Sequence, residues 1–168
     1  MKKNIVLIGF MGTGKSEVGK ELAKMLGYKF IDTDELIEKR EGIPVSEIFD
    51  KYGETYFRKI ESEIIKDVSV MENVVISTGG GAVIRSENRM NLKRNSITIC
   101  LTASPEVIYE RTKDYDNRPL LKTDDTYMRI KELLKEREPY YSEADIKIDT
   151  TQLEAQKVVE TIMKEMRT

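Results

Sequence analysis

A chain of 168 residues is long enough for one domain with a full core, and 39% hydrophobic with 35% charged residues marks a globular, highly charged protein. The net charge of −2 gives no electrostatic basis for binding nucleic acid or a membrane surface. One cysteine, Cys100, excludes an internal disulfide and a multi-cysteine metal site, and the absence of histidine leaves only carboxylate, lysine, tyrosine or that thiol as a general base.

The apolar run Ile5–Ile8 predicts a first strand over Lys3–Ile8. It leads into Gly9-Phe10-Met11-Gly12-Thr13-Gly14-Lys15-Ser16, which is G-x-x-x-x-G-K-[ST], the phosphate-binding loop. Val18, Leu22, Met25 and Leu26 recur at helical spacing and predict a helix over Ser16–Leu26, stopped by Gly27. Strand, loop and helix in this order form a nucleoside-triphosphate site. Backbone N–H groups around Gly12, Thr13 and Gly14 make an anion nest at a helix N-terminus. Lys15 can reach the β- and γ-phosphates, and the Ser16 hydroxyl can ligate Mg²⁺.

The second strand, Lys29–Ile31, is followed by Asp32-Thr33-Asp34 and a helix over Thr33–Arg40. Two carboxylates at a strand end have two readings: caps for the next helix, or a metal ligand beside a group that accepts a proton from an attacking hydroxyl. Helices over Ser46–Tyr52 and Glu54–Val68 come next. In the latter, Phe57, Ile60, Ile64 and Val68 form the buried stripe. Arg58 lies at its margin, with Glu61 one turn on to orient the guanidinium; spacing alone makes Arg58 a solvated surface residue.

The third strand, Val74–Ser77, ends in serine where Walker-B segments carry aspartate, which makes Asp32 the better outer-shell metal ligand. Thr78-Gly79-Gly80-Gly81-Ala82 follows, either a tight turn or a bare backbone against which a ligand lies. A helix over Ser86–Lys93 leads to the strand Ile97–Leu101, where Cys100 packs as a small hydrophobe. Ser104 N-caps a helix over Pro105–Lys113. Residues 113–125 are polar and aperiodic, either plain surface or a lid that brings Arg118 over the γ-phosphate. A helix over Asp125–Arg137 ends in a charged run that places Arg137 in solvent. The strand Ile146–Ile148 precedes a last helix over Gln152–Met166, with Thr151 and Glu154 as its capping box.

Strands spaced by helices imply a parallel sheet covered on both faces, with ligands at the carboxyl ends of the strands. No segment has the pattern of a signal peptide or reaches membrane-spanning length, so a cytoplasmic location is the default, and the chain is expected to act as a monomer. The phosphate-binding loop alone leaves open a small-metabolite kinase, such as a gluconate or nucleoside monophosphate kinase, and a nucleotide-dependent switch. The switch reading lacks its base-recognition string: the nearest is Leu121-Lys122-Thr123-Asp124, with the wrong first residue and no strand before it.

Taken together, GFMGTGKS at 9–16, DTD at 32–34, FRKIE at 57–61, STGGGA at 77–82, ERT at 110–112, NRPLL at 117–121 and EREPYY at 136–141 resemble the shikimate kinase family, in its order and over nearly the whole chain. The resemblance implies a nucleoside-monophosphate-kinase-like three-layer α/β/α fold with a five-stranded parallel sheet in order 2-3-1-4-5 and a lid. It implies one kinase domain over 1–168, with the acceptor-binding helical region at 33–61. It implies Mg²⁺-dependent transfer of the ATP γ-phosphate to the 3-hydroxyl of shikimate. By position, Asp34 would contact the acceptor hydroxyl as candidate base, and Arg58 and Arg137 would bind the shikimate carboxylate. Gly79, Gly80 and Gly81 would line the ring, Arg118 would be the lid arginine and Arg111 would stack on adenine. Lys15, Arg118 and Mg²⁺ at Ser16 and Asp32 would supply the positive charge. Family members often place a proline against the adenine after the last strand; the aligned residue here is Ala155.

Overall fold

Strands β1 (Asn4–Ile8), β2 (Lys29–Asp32), β3 (Val74–Ser77), β4 (Ser96–Thr102) and β5 (Ile146–Asp149) form one parallel sheet in the order β2-β3-β1-β4-β5. The computed structural model describes residues 3–114, 121 and 125–168. The central strand β1 is buried along its whole length, and its side chains alternate between two cores. Ile5 and Leu7 join Val75, Ile99 and Leu101 beneath helices α1 (Lys15–Leu26) and α7 (Ala155–Arg167). Val6 and Ile8 join Val74, Ile76 and Cys100 on the other face, against Phe57, Ile60, Ile64 and Ile65 of α3 (Val45–Val68). Helices α2 (Thr33–Glu41), α4 (Ser86–Lys93), α5 (Pro105–Thr112) and α6 (Thr126–Tyr141) complete the described elements, with one 3-10 turn at Ala82–Ile84. Among the described residues, no helix is long and apolar enough to cross a membrane.

All five expected strands are present, within one residue of their expected ends. The differences lie at helix ends. The two helices expected around Gly53 follow one another within one element, but they meet at a kink, where Gly53 is non-helical at φ 84° and ψ 172°. Helix α6 runs past Arg137 and through Pro139 to Tyr141. A proline so near the C-terminus forfeits one backbone hydrogen bond, and buried Tyr141 anchors the added turn. The capping box expected at Thr151 and Glu154 does not form. Asp149 Oδ1 accepts from both the Thr151 N–H and its hydroxyl, making a local turn, and α7 begins at Ala155 with no side-chain cap.

Candidate active site

The phosphate-binding loop sits between the end of β1 and the start of α1, as the sequence predicts. Gly14 N-caps α1 in the left-handed conformation, so the helix opens directly at the loop. The Thr13 hydroxyl donates to the Phe10 carbonyl at 2.7 Å. Lys15 Nζ curls back along the loop and donates to the carbonyls of Gly9 (2.7 Å) and Phe10 (2.9 Å). The loop borders an open cavity of about 1090 Å³ whose wall also includes Ser16, Asp32, Asp34, Gly79, Gly80, Arg111, Thr150 and Ala155. One cavity therefore joins the triphosphate loop, the acidic pair and Gly79 and Gly80, while Gly81, Arg58 and Arg137 lie behind its wall.

Asp32 takes up the first of its sequence readings, the helix cap, and turns its second oxygen toward Ser16. Its Oδ1 caps α2 by accepting from the N–H groups of Asp34 (2.9 Å) and Glu35 (3.2 Å). Its Oδ2 accepts the Ser16 hydroxyl at 2.9 Å. Two hard oxygen donors thus converge where a divalent ion beside a triphosphate would sit, which fits Mg²⁺. Among the described residues there is no cluster of three acidic, cysteine or histidine groups able to cage a metal alone. An ion here would complete its shell with phosphate oxygens and water, the usual state of Mg²⁺ in kinases.

The glycine segment explains why the remaining residues meet. A Cβ on Gly79 would lie 2.8 Å from Asp34 Oδ1 and 3.1 Å from Glu61 Oε2. One on Gly80 would lie 3.2 Å from Arg137 Nη1 and 3.3 Å from the Met11 nitrogen of the phosphate-binding loop. One on Gly81 would run into the Arg58 guanidinium, 2.6 Å from its Cζ. Each missing side chain thus admits a different functional group, and Gly80 touches the triphosphate loop on one side and Arg137 on the other.

Arg58 and Arg137 are not solvated, contrary to what helical spacing and the charged run suggest: their exposures are 8% and 2%. Helical spacing marks the face a residue occupies but not the loop packed over it, and here the Gly79–Gly81 segment covers both. Arg58 Nη1 donates to Glu61 Oε1 at 2.8 Å, one turn along α3, as expected. Glu61 has no exposed surface; burial pushes its carboxyl above the ordinary range, opposed by Arg58 and Arg137. Arg137 lies over the Phe10 ring at 5.3 Å, and its Nε and Nη1 have no hydrogen-bond partner among the described residues. Arg58 Nε also lies 3.7 Å from the half-exposed Glu54, while the Arg137 Nε and Nη1 donors stay unmatched beside the buried Arg58–Glu61 pair. Burying such groups is costly unless an anion completes them.

Arg111 donates to the carbonyls of Gly12 (3.1 Å) and Thr150 (3.0 Å), which joins α5 to the phosphate-binding loop at the far end of the cavity. Ala155 lies on that wall with Leu153, Glu154 and Gln156. Arg118 lies outside the described residues, as does most of the expected lid. Two site residues escape the sequence reading. The buried Thr150 hydroxyl bonds to the carbonyls of Thr13 (3.2 Å) and Thr102 (3.0 Å), fastening the phosphate-binding loop to the end of β5. Its place directly after the fifth strand, where a parallel sheet gathers its ligands, is the signal that marks it. Tyr141 bonds to the Gly80 carbonyl at 2.6 Å; its string EREPYY was visible, but its direction was not.

A phosphate-binding loop on the central strand of a 2-3-1-4-5 parallel sheet is the architecture of nucleoside-monophosphate-kinase-like P-loop kinases. A sequence model of the shikimate kinase family matches residues 11–167. The chain belongs to the shikimate kinase family, whose members are phosphotransferases acting on an alcohol group. A shikimate kinase from Thermodesulfovibrio yellowstonii is 54% identical over 163 residues, covering 97% of this chain and 94% of the relative. The structure of a shikimate kinase from Acinetobacter baumannii in complex with shikimate is similar at a TM-score of 0.95 and 37% identity, covering 98% of this chain and 92% of that one. A gluconokinase from Sinorhizobium meliloti, at a TM-score of 0.53 and 19% identity over 94% of this chain and 87% of that one, shares the fold alone.

Proposed function

We propose that this chain catalyses Mg²⁺-dependent transfer of the ATP γ-phosphate to the 3-hydroxyl of shikimate, giving shikimate 3-phosphate, as one kinase domain acting as a cytoplasmic monomer. The observation that carries the reading is the buried pair Arg58 and Arg137, packed on Gly80 and Gly81 beside a triphosphate-binding loop. A small acceptor with one carboxylate would complete that charge cluster, and planar guanidinium forks suit a carboxylate. The shikimate bound to the Acinetobacter relative supports the same acceptor.

Phosphoryl transfer asks the protein for alignment and charge neutralisation more than covalent chemistry. Lys15 and the loop N–H groups hold the triphosphate. Ser16 and Asp32 would hold Mg²⁺, which would supply positive charge to offset that of the triphosphate. Asp34, on the cavity wall next to Gly79, accepts the proton of the acceptor hydroxyl. Arg111 faces the base of the nucleotide, and Arg118 reaches the phosphates; the Arg118 role rests on the NRPLL string alone.

A coupled ADP-release assay tests the reading. ADP release from Mg-ATP should depend on shikimate and stay at background with gluconate or a nucleoside monophosphate. Turnover with either of those in place of shikimate would sink it.

A further inference from the structure

We propose that Tyr141 is a positioning residue for the acceptor's carboxylate, holding the Gly80–Gly81 peptide and the Arg137 guanidinium in one frame; this rests on the acceptor site as read above. Tyr141 is the last residue of α6, and its ring is buried in the core beneath the sheet. Its hydroxyl donates to the Gly80 carbonyl oxygen at 2.6 Å. Arg137 precedes it by one helical turn, on the same face, and its guanidinium lies beside the same hydroxyl.

The consequence follows from peptide geometry. Among the described residues no peptide bond is cis, so the Gly80 carbonyl and the Gly81 N–H point in opposite directions from one rigid plane. Whatever fixes the oxygen also aims the N–H. Three glycines in a row have no side chains to limit rotation of that plane. The flanking turn bonds, Ala82 N–H to Gly79 and Ile84 N–H to Gly81, bypass this peptide. The bond from Tyr141 therefore sets its orientation. Arg58 occupies the place of a Gly81 side chain, and Arg137 crowds that of a Gly80 side chain. One hydroxyl thus registers the bare peptide against both guanidinium groups. Donation to a carbonyl requires a neutral phenol, and burial pushes this one up to about 12, so it stays a donor at any physiological pH.

Tyr141→Phe removes one oxygen and keeps the ring that fills the core. With the wild-type chain first shown to turn over shikimate, the variant should raise KM for shikimate about tenfold, with kcat and KM for ATP changed less than twofold. A shikimate analogue with a neutral group in place of the carboxylate should not distinguish the two proteins. An unchanged KM for shikimate in the folded variant overturns the proposal. So does an equal rise in both KM values, which marks a general structural role. Labelling the wild-type glycines with ¹⁵N supplies a test that needs no variant: shikimate must shift the Gly81 amide resonance, and an unmoved Gly81 signal overturns the proposal. A wild-type chain inactive on shikimate fails at the first step, overturning the acceptor reading and this inference with it.

Discussion

At the scale of single residues, the site is built by omission as much as by functional groups. The place of a Gly81 side chain is filled by the Arg58 guanidinium, so Gly81→Ala must push Arg58 away from Glu61. That variant is expected to lose at least tenfold in kcat/KM for shikimate while binding ATP normally, as isothermal titration with each ligand would show. Arg58→Ala and Arg137→Ala should each weaken shikimate binding by about 2–4 kcal/mol, the usual result of stripping one partner from a desolvated charge pair. In the proposed reading both grip one acceptor carboxylate, so the double variant should lose much less than the sum; strict additivity in a double-mutant cycle would show that they act separately. Asp34→Asn should lower kcat by about 10² or more with ATP affinity intact. Loss of ATP binding instead would exchange the roles of Asp32 and Asp34.

Among the elements, strands were legible and helix ends less so. The central strands β1 and β3 are short apolar runs buried on both faces, so composition alone marks them, whereas the edge strands β2 and β5 mix apolar with charged residues. The Ser104 cap was equally legible because its partner is three residues away: the Ser104 hydroxyl accepts from the Val107 N–H at 3.3 Å. Ser104→Ala should cost about 1 kcal/mol in urea unfolding. Thr151→Ala should leave the start of α7 where it is, since the threonine serves Asp149 and the Ser104 N–H rather than the helix. A helix that frayed in the Thr151 variant, seen as faster amide exchange over residues 155–158, would contradict this. What local sequence cannot express is a long-range partner. The buried state of Arg58 and Arg137 depends on a loop 20 or more residues distant, and the last turn of α6 depends on the contact between Tyr141 and Gly80, |i−j| of 61. Site residues were therefore identified by motif, while their burial and mutual support were not.

For the whole molecule, the two buried weak acids set the alkaline limit of stability. Burial pushes the Cys100 thiol up to about 11 and the Tyr141 phenol up to about 12. Both are raised above their unfolded values, so the folded state keeps protons that the unfolded chain releases. Their contribution to stability is thus full below about pH 8.5 and falls as pH rises through the folded values. Equilibrium unfolding between pH 8 and 11 should show this decline, and Tyr141→Phe should flatten its upper part; an unchanged slope would mean that the phenol reaches solvent. Cys100 has a further use. It is the chain's one thiol, has no exposed surface and lies in β4, paired with Ile8 of the central strand. A thiol reagent at neutral pH can modify it only while the sheet is open, so the labelling rate is a clock for opening events, readable in a crude mixture without a spectroscopic probe. Ligands that bind only the closed protein must slow that clock in proportion to their occupancy, which turns a single buried sulfur into a gauge of substrate affinity independent of catalysis.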